Sequence, residues 1–277
     1  MNRPFESRVK TFVRRDRRLP QSQLRHFAEN RAGFVLDVTR GTGVTEVATD
    51  QPPLDFQGLF GNSNPVTVEI GSGNGIQIVA AAAANPKHNF LAFEVYHPGI
   101  VKTVGRALDA GVTAGSNLRL VEADALQAIP VLVPEGTLSE IWSFFPDPWR
   151  KKRHHKRRLI SARPLALLSK YLQRDGVWRM ATDWADYALD MVSAVSKCDR
   201  LDNPYAERPG EIPIAADGTL LTTPDMVPRF RPGDQLPEGA GFALGFAPRF
   251  PGRVLTHFEQ RGIHAGRVIS DVMAIRK

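Results

Sequence analysis

Cysteine is almost missing: Cys198 stands alone among 277 residues. A single thiol excludes a disulfide framework and a cysteine-based metal site, and it fits a reducing cytoplasm. Long apolar runs are missing too. None approaches the roughly 18 residues that a membrane span needs, and the charged N-terminus lacks the apolar stretch of a secretory signal. No internal repeat is found. Acidic residues are absent from Arg150 to Arg158, where seven Lys/Arg and two His stand together. They are scarce in the first 31 residues, which hold nine Lys/Arg against three Asp/Glu. His154 and His155 lie within the cationic run, which would repel a metal ion, so no metal is expected.

What is present suffices for a sizeable core, with 42% hydrophobic residues. The length suits one large domain with extensions or two small ones. The formal net charge of +7 is clustered, the footprint of a protein that meets nucleic acid or an anionic surface. Gln21 to Arg31 has one apolar face at helical spacing, after a basic stretch whose order without a partner stays open. Gly33 to Pro65 reads as a lead-in with little chemistry.

From Val66 the chain alternates between strands and helices. Strands are expected at Val66–Ile70, Phe90–Val95, Leu118–Val121, Ile141–Phe145 and Val177–Ala181. Helices are expected at Ile76–Ala84, Pro98–Ala110, Leu159–Leu172 and Asp186–Val195. Such alternation argues for an α/β fold, a mostly parallel sheet with helices on both faces, which binds ligands beyond the carboxyl ends of its strands. Glu69, Gly71, Glu94, Asp124, Asp147 and Asp183 all fall at or near those ends. Residues 203–253 are rich in Pro and Gly and read as a long loop region, with one short strand expected near Leu220. The patterning resumes over Arg253–Glu259 and Gly266–Ile275, where Val268, Ile269, Val272, Met273 and Ile275 suit closing strands.

Two stretches carry chemistry. Val68 to Gly75 is a strand running into Gly71-Ser72-Gly73, where a ligand can approach the backbone. The dinucleotide pattern would place a third glycine where Ile76 stands, and Glu69 would face a pyrophosphate unfavourably. Both departures suit S-adenosylmethionine, whose aminoacyl end carries an ammonium and whose sulfonium is cationic. Glu94, ending the second strand, can accept both ribose hydroxyls. Asp124 can take the adenine amino group or cap the next helix, and the two roles are compatible. The second stretch is Ile141 to Arg158. Two prolines hold Asp147 at a stiff strand exit, directly before the cations. A rigid carboxylate beside such a run suggests a catalytic site for a polyanion. Trp149 can stack on a base or simply pack.

The motifs VEIGSGNG (68–75), AFEVY (92–96), EADAL (122–126), FFPDPWRKKRHHKRR (144–158), ATDWADYA (181–188) and THFEQRG (256–262), with the arm around FVRRDRRL (12–19), resemble the bacterial tRNA (guanine-N7)-methyltransferases. The resemblance implies a Rossmann-like class I methyltransferase domain over 33–277, preceded by a basic arm over 1–32. It implies methyl transfer from S-adenosylmethionine to a variable-loop guanine, position 46, of tRNA. It matches Glu69, Gly71, Gly73, Glu94, Asp124 and Asp147 to cofactor contacts, with Asp147 also the catalytic or guanine-positioning acid. Lys151, Asp183 and the segment Thr256, His257, Phe258 and Glu259 match substrate-binding positions. His257 departs from the family's usual Lys, and the stretch before Thr256 is longer than typical. The run Arg153, His154, His155, Lys156, Arg157 and Arg158 would neutralise tRNA phosphates. No membrane and no protein partner is required, and either a monomer or a homodimer is compatible. Two other readings remain: a nicotinamide-dependent oxidoreductase, which Glu69 and Ile76 disfavour, and a non-catalytic RNA-binding module, which has no need of three acids at the strand ends.

Overall fold

The computed structural model describes residues 10–12 and 18–277. Much of the basic arm expected over 1–32 lies outside them. The end of that stretch, Gln21–Asn30, forms helix α1 and buries Phe27, whose ring meets His97 edge-on at 5.6 Å. A short helix α2 (Phe56–Phe60) follows, capped by the Asp55 carboxylate, which accepts from the Gln57 N–H.

Short apolar runs become strands β1 (Val66–Ile70), β2 (Asn89–Phe93) and β3 (Leu118–Val121), with every backbone position buried. Continuous burial is what parallel strands covered on both faces require. Helix α3 (Ile76–Ala84) is Ala-rich, hence a strong helix former, and starts from Gly75 in the left-handed region. Helix α4 (His97–Asp109) carries Pro98 in its first turn and stops before Gly111, which has φ 75°. Helix α5 (Ala125–Leu132) and strand β4 (Leu138–Phe144) follow. Beyond them lie α6 (Ala162–Leu168), β5 (Leu172–Thr182), α7 (Ala185–Ser196), β6 (Leu201–Asp202), β7 (Pro209–Ile214), β8 (Gly241–Leu244), α8 (His257–His264) and β9 (Ser270–Arg276). The central sheet has the order β3-β2-β1-β4-β5-β9-β6. Strand β1 pairs in parallel with β2 and β4, and β2 with β3, while β9 runs antiparallel to β5 and β6. This is the expected mostly parallel α/β sheet. Its order reverses at β1, where doubly wound sheets bind ligands.

The chain divides into two compact units, residues 1–142 with 170–176 and residues 143–169 with 177–277. Two expectations about elements are corrected. The helix expected over Leu159–Leu172 is only α6, because the Tyr171 carbonyl already accepts from the Leu138 N–H and the chain turns into β5 at Leu172. Gly176 lies inside that strand, since a Cβ there would press on the Gln173 and Leu138 carbonyls. Residues 203–253 are not one long loop. Strands β7 and β8 pair antiparallel, and Leu220 makes only an isolated bridge to Ile214. The stretch Arg253–Glu259, where the patterning resumes, leads into helix α8. Thr256 caps that helix by accepting from the Glu259 N–H, and Thr-x-x-Glu was the readable signal. No helix among the described residues is long and apolar enough to cross a membrane.

Candidate active site

In the first unit, Glu69 stands next to last in β1 and is 4% exposed. Burial, then the neighbouring Glu94 carboxylate, pushes its carboxyl up to about 8, against a hydrogen bond from the Ile78 N–H. Its Oε2 is buried without a protein partner. Such an oxygen is costly unless a ligand supplies donors and positive charge, and an ammonium supplies both. Gly71 and Gly73 follow with φ 75° and 57°, and open space lies where their side chains would stand. A side chain at Gly99 of α4 would collide with the Gly73 carbonyl, so the turn rests directly on the helix. The orphaned acid and the bare glycine cradle fit the aminoacyl end of S-adenosylmethionine.

Glu94 ties that turn to the end of β2. Its Oε2 accepts from the Gly73 N–H at 2.6 Å, and its Oε1 accepts from Val95 and Tyr96 at 2.7 and 2.8 Å. A carboxylate offers about four lone-pair sites. Three are in use, which leaves one further acceptor site at Oε2. Burial raises its carboxyl while the three N–H groups oppose the rise. Asp124 caps α5, with Oδ1 accepting from the Leu126 N–H at 3.0 Å, and burial pushes its carboxyl up. Of its two compatible roles, the cap is present. The lead-in read as having little chemistry closes on this corner. The Thr45 carbonyl accepts from the Asp124 N–H at 2.8 Å, Arg40 donates to the Glu122 carbonyl, and the Gln127 side chain exchanges two bonds with Val47. His97 Nδ1 meets Glu122 at 2.7 Å. The contacts of Arg40, Thr45 and Val47 had no signal in local pattern, because they join residues some 80 positions apart.

In the second unit, the chain leaves β4 through Phe145, whose N–H donates to the Ala181 carbonyl at 2.8 Å. Phe145 and Trp149 have φ 53° and 48°. For bulky residues this region costs about 1–3 kcal/mol each, and it persists only where surroundings over-determine it. Asp147 sits exposed between them, flanked by both prolines. Lys151 follows, exposed, and Lys152–Arg157 forms a 3-10 helix of six residues. Lys152, Arg153 and Lys156 are exposed as well. The Arg157 guanidinium lies 4.8 Å over the Trp149 ring and His154 meets that ring edge-on at 6.0 Å, so Trp149 is packed within its own loop. Desolvation, then the surrounding cations, lower the His154 imidazole from the ordinary histidine range.

Arg158 corrects the expected phosphate-binding run. Its side chain is 1% exposed, paired with Asp186 at 2.8 Å and with Asp190, and it lies 4.7 Å over the Tyr187 ring. It fastens the basic turn to α7 and presents no charge to solvent. His155 approaches the same two aspartates at 3.7 and 4.0 Å. Glu259 is corrected likewise: it is 2% exposed, and Arg249 and Arg253 each donate to its carboxylate at 3.0 Å, leaving it closed to a substrate. His257 and Phe258 are exposed, with Arg261 4.8 Å over the Phe258 ring, and Thr256 is the cap. Asp183 pairs with Arg267 at 2.8 Å. Arg267, Arg249 and Arg253 were missed in the sequence, since nothing near them marks their partners.

A sheet whose first strand ends in an orphaned acid and an open glycine turn defines an S-adenosylmethionine-dependent methyltransferase. The family described as "Putative methyltransferase" matches residues 63–214. The tRNA (guanine-N(7)-)-methyltransferase of Paenarthrobacter aurescens is 36% identical over 287 residues, covering 97% of this chain and 91% of that protein. Those of Cutibacterium acnes and Bifidobacterium longum subsp. infantis are 38% and 40% identical, each covering 95% of this chain and 82% and 87% of their own lengths. The chain belongs to the tRNA (guanine-N(7)-)-methyltransferase family.

Proposed function

We propose that the protein methylates N7 of a guanine in tRNA, at position 46 of the variable loop, in the cytoplasm. The observation that carries this reading is Asp147: an exposed carboxylate fixed between two aromatics of positive φ, immediately before exposed Lys151, Lys152, Arg153 and Lys156. Bound S-adenosylmethionine supplies an electrophilic methyl group on a sulfonium. Glu69 would hold its ammonium, Glu94 one ribose hydroxyl, and the Gly71–Gly73 turn its backbone approach.

Guanine N7 has a free lone pair, so no base is needed to activate it, and orientation is the main task. Asp147 accepts from the guanine N1 and N2 hydrogens and balances the positive charge that develops on the purine. Asp183, already neutralised by Arg267, is the weaker candidate for that charge. Exposed lysines and Arg153 neutralise phosphates. A tRNA transcript containing 7-deazaguanosine, which lacks N7, tests the target atom. It should accept no methyl group, whereas the guanosine transcript should. Equal labelling of both would move the reaction to another atom.

A further inference from the structure

We infer that Arg253 is a positioning residue, a buried brace that holds the Phe145–Trp149 turn and the first turn of α8 in register; this rests on the proposed role of that turn in methyl transfer. The side chain is 0% exposed. It donates to both oxygens of Asp271 in β9, at 2.6 and 3.0 Å, and to Glu259 in α8 at 3.0 Å. Its guanidinium lies 5.7 Å from the Phe144 ring and 5.6 Å from the Phe145 ring. Four side chains from three separate segments therefore close around one cation. One of them, Phe145, carries the strained φ that starts the Asp147 turn.

A planar, delocalised cation suits this place for geometric reasons. It can stack against rings on its faces while its edge donates in a fork to carboxylates. Lysine offers a point charge and cannot do both. Two buried carboxylates, Glu259 and Asp271, also need the charge, and Arg249 reaches only Glu259 among them. Neutralising the network as a whole need not cost stability, because buried ion networks often exchange for neutral groups of similar size without penalty. What such an exchange removes here is the fork between the rings and the two acids. Stability and positioning are thereby separable.

The test uses the full-length chain as Arg253→Lys and as the triple variant R253M/E259Q/D271N. Each is measured for thermal unfolding, S-adenosylhomocysteine affinity, tRNA affinity, single-turnover methylation and trypsin cleavage within Arg150–Arg158. Expected are folded variants whose cofactor and tRNA dissociation constants stay within about 3-fold of wild type. Their single-turnover rate should fall on the order of 10²-fold, by analogy with misplacing a reacting group, and trypsin should cut the basic turn at least about 10-fold faster. A folded Arg253→Lys or triple variant with wild-type turnover and wild-type cleavage would overturn the brace. If wild-type protein fails to methylate tRNA, the functional reading falls instead, and the cleavage rates still decide whether Arg253 holds the turn.

Discussion

At the scale of single residues, the main tension lies in carboxylates kept away from water. Glu69 is pushed up to about 8 by burial, above its ordinary 4.5. It is therefore protonated at pH 6.5 in the ligand-free protein and must lose its proton to accept an ammonium. Calorimetry of S-adenosylhomocysteine binding at pH 6.5, in buffers of different ionisation enthalpy, should show release of close to one proton. Glu69→Gln should abolish that release and weaken binding by ~1.5–3 kcal/mol. Proton-neutral binding by the wild type would remove Glu69 from the cofactor site. The same shift fixes a sign for stability. A carboxyl with a raised folded-state pKa binds more protons folded than unfolded between about 4.5 and 8, so its stabilising contribution is complete below that window and is lost as pH rises through it. The apo protein's melting temperature should fall more steeply across this window than that of Glu69→Gln. Asp147 is the sharpest residue for catalysis. Asp147→Asn keeps shape and one acceptor, so fold and cofactor binding should survive while single-turnover methylation drops on the order of 10²-fold. Near-normal turnover in a folded Asn variant would leave Asp147 as a turn residue only.

Among the elements, the basic stretch after β4 separates into two kinds of cation. Lys151, Lys152, Arg153 and Lys156 face solvent, while Arg158 is locked to α7. Arg158→Ala should destabilise the fold by about 3 kcal/mol, the low end for orphaning a buried charge because Asp190 is half exposed. Its effect on the salt dependence of tRNA binding should be small. Replacing the exposed four with Ala should leave the melting temperature nearly unchanged and lower the log–log salt slope by about 0.7–0.9 for each phosphate no longer neutralised. Unfolding curves and tRNA titrations at several salt concentrations distinguish the two sets; an unaltered slope would make the exposed cations a solvated surface. Sequence alone read Arg150–Arg158 as one run, because charge along a chain carries no record of which side chains turn inward. The strands were far more legible. Val66–Ile70 and Leu118–Val121 have the expected bounds, since buried parallel strands are written as short apolar runs between turn residues. Strands β7 and β8 were not readable: Pro209 and Pro213 mask a ribbon whose pairing spans about 30 residues.

Considered whole, the molecule is a methyltransferase fold in which long-range contacts decide what local pattern cannot. Glu69, Glu94 and Asp124 could be picked out because strand ends are where such sheets bind ligands. How many bonds each acid has left could not, since that depends on the Gly73, Val95, Tyr96 and Leu126 N–H groups. Arg253 and Arg267 gain meaning only through Glu259, Asp271 and Asp183. The direct trial of the whole is tritiated methyl transfer from S-adenosylmethionine to unmodified tRNA, followed by aniline cleavage at N7-methylguanine. The expected result is stoichiometric label and a single cut in the variable loop at position 46. Label in tRNA that resists aniline, or no transfer by a folded protein that binds S-adenosylhomocysteine, would contradict it.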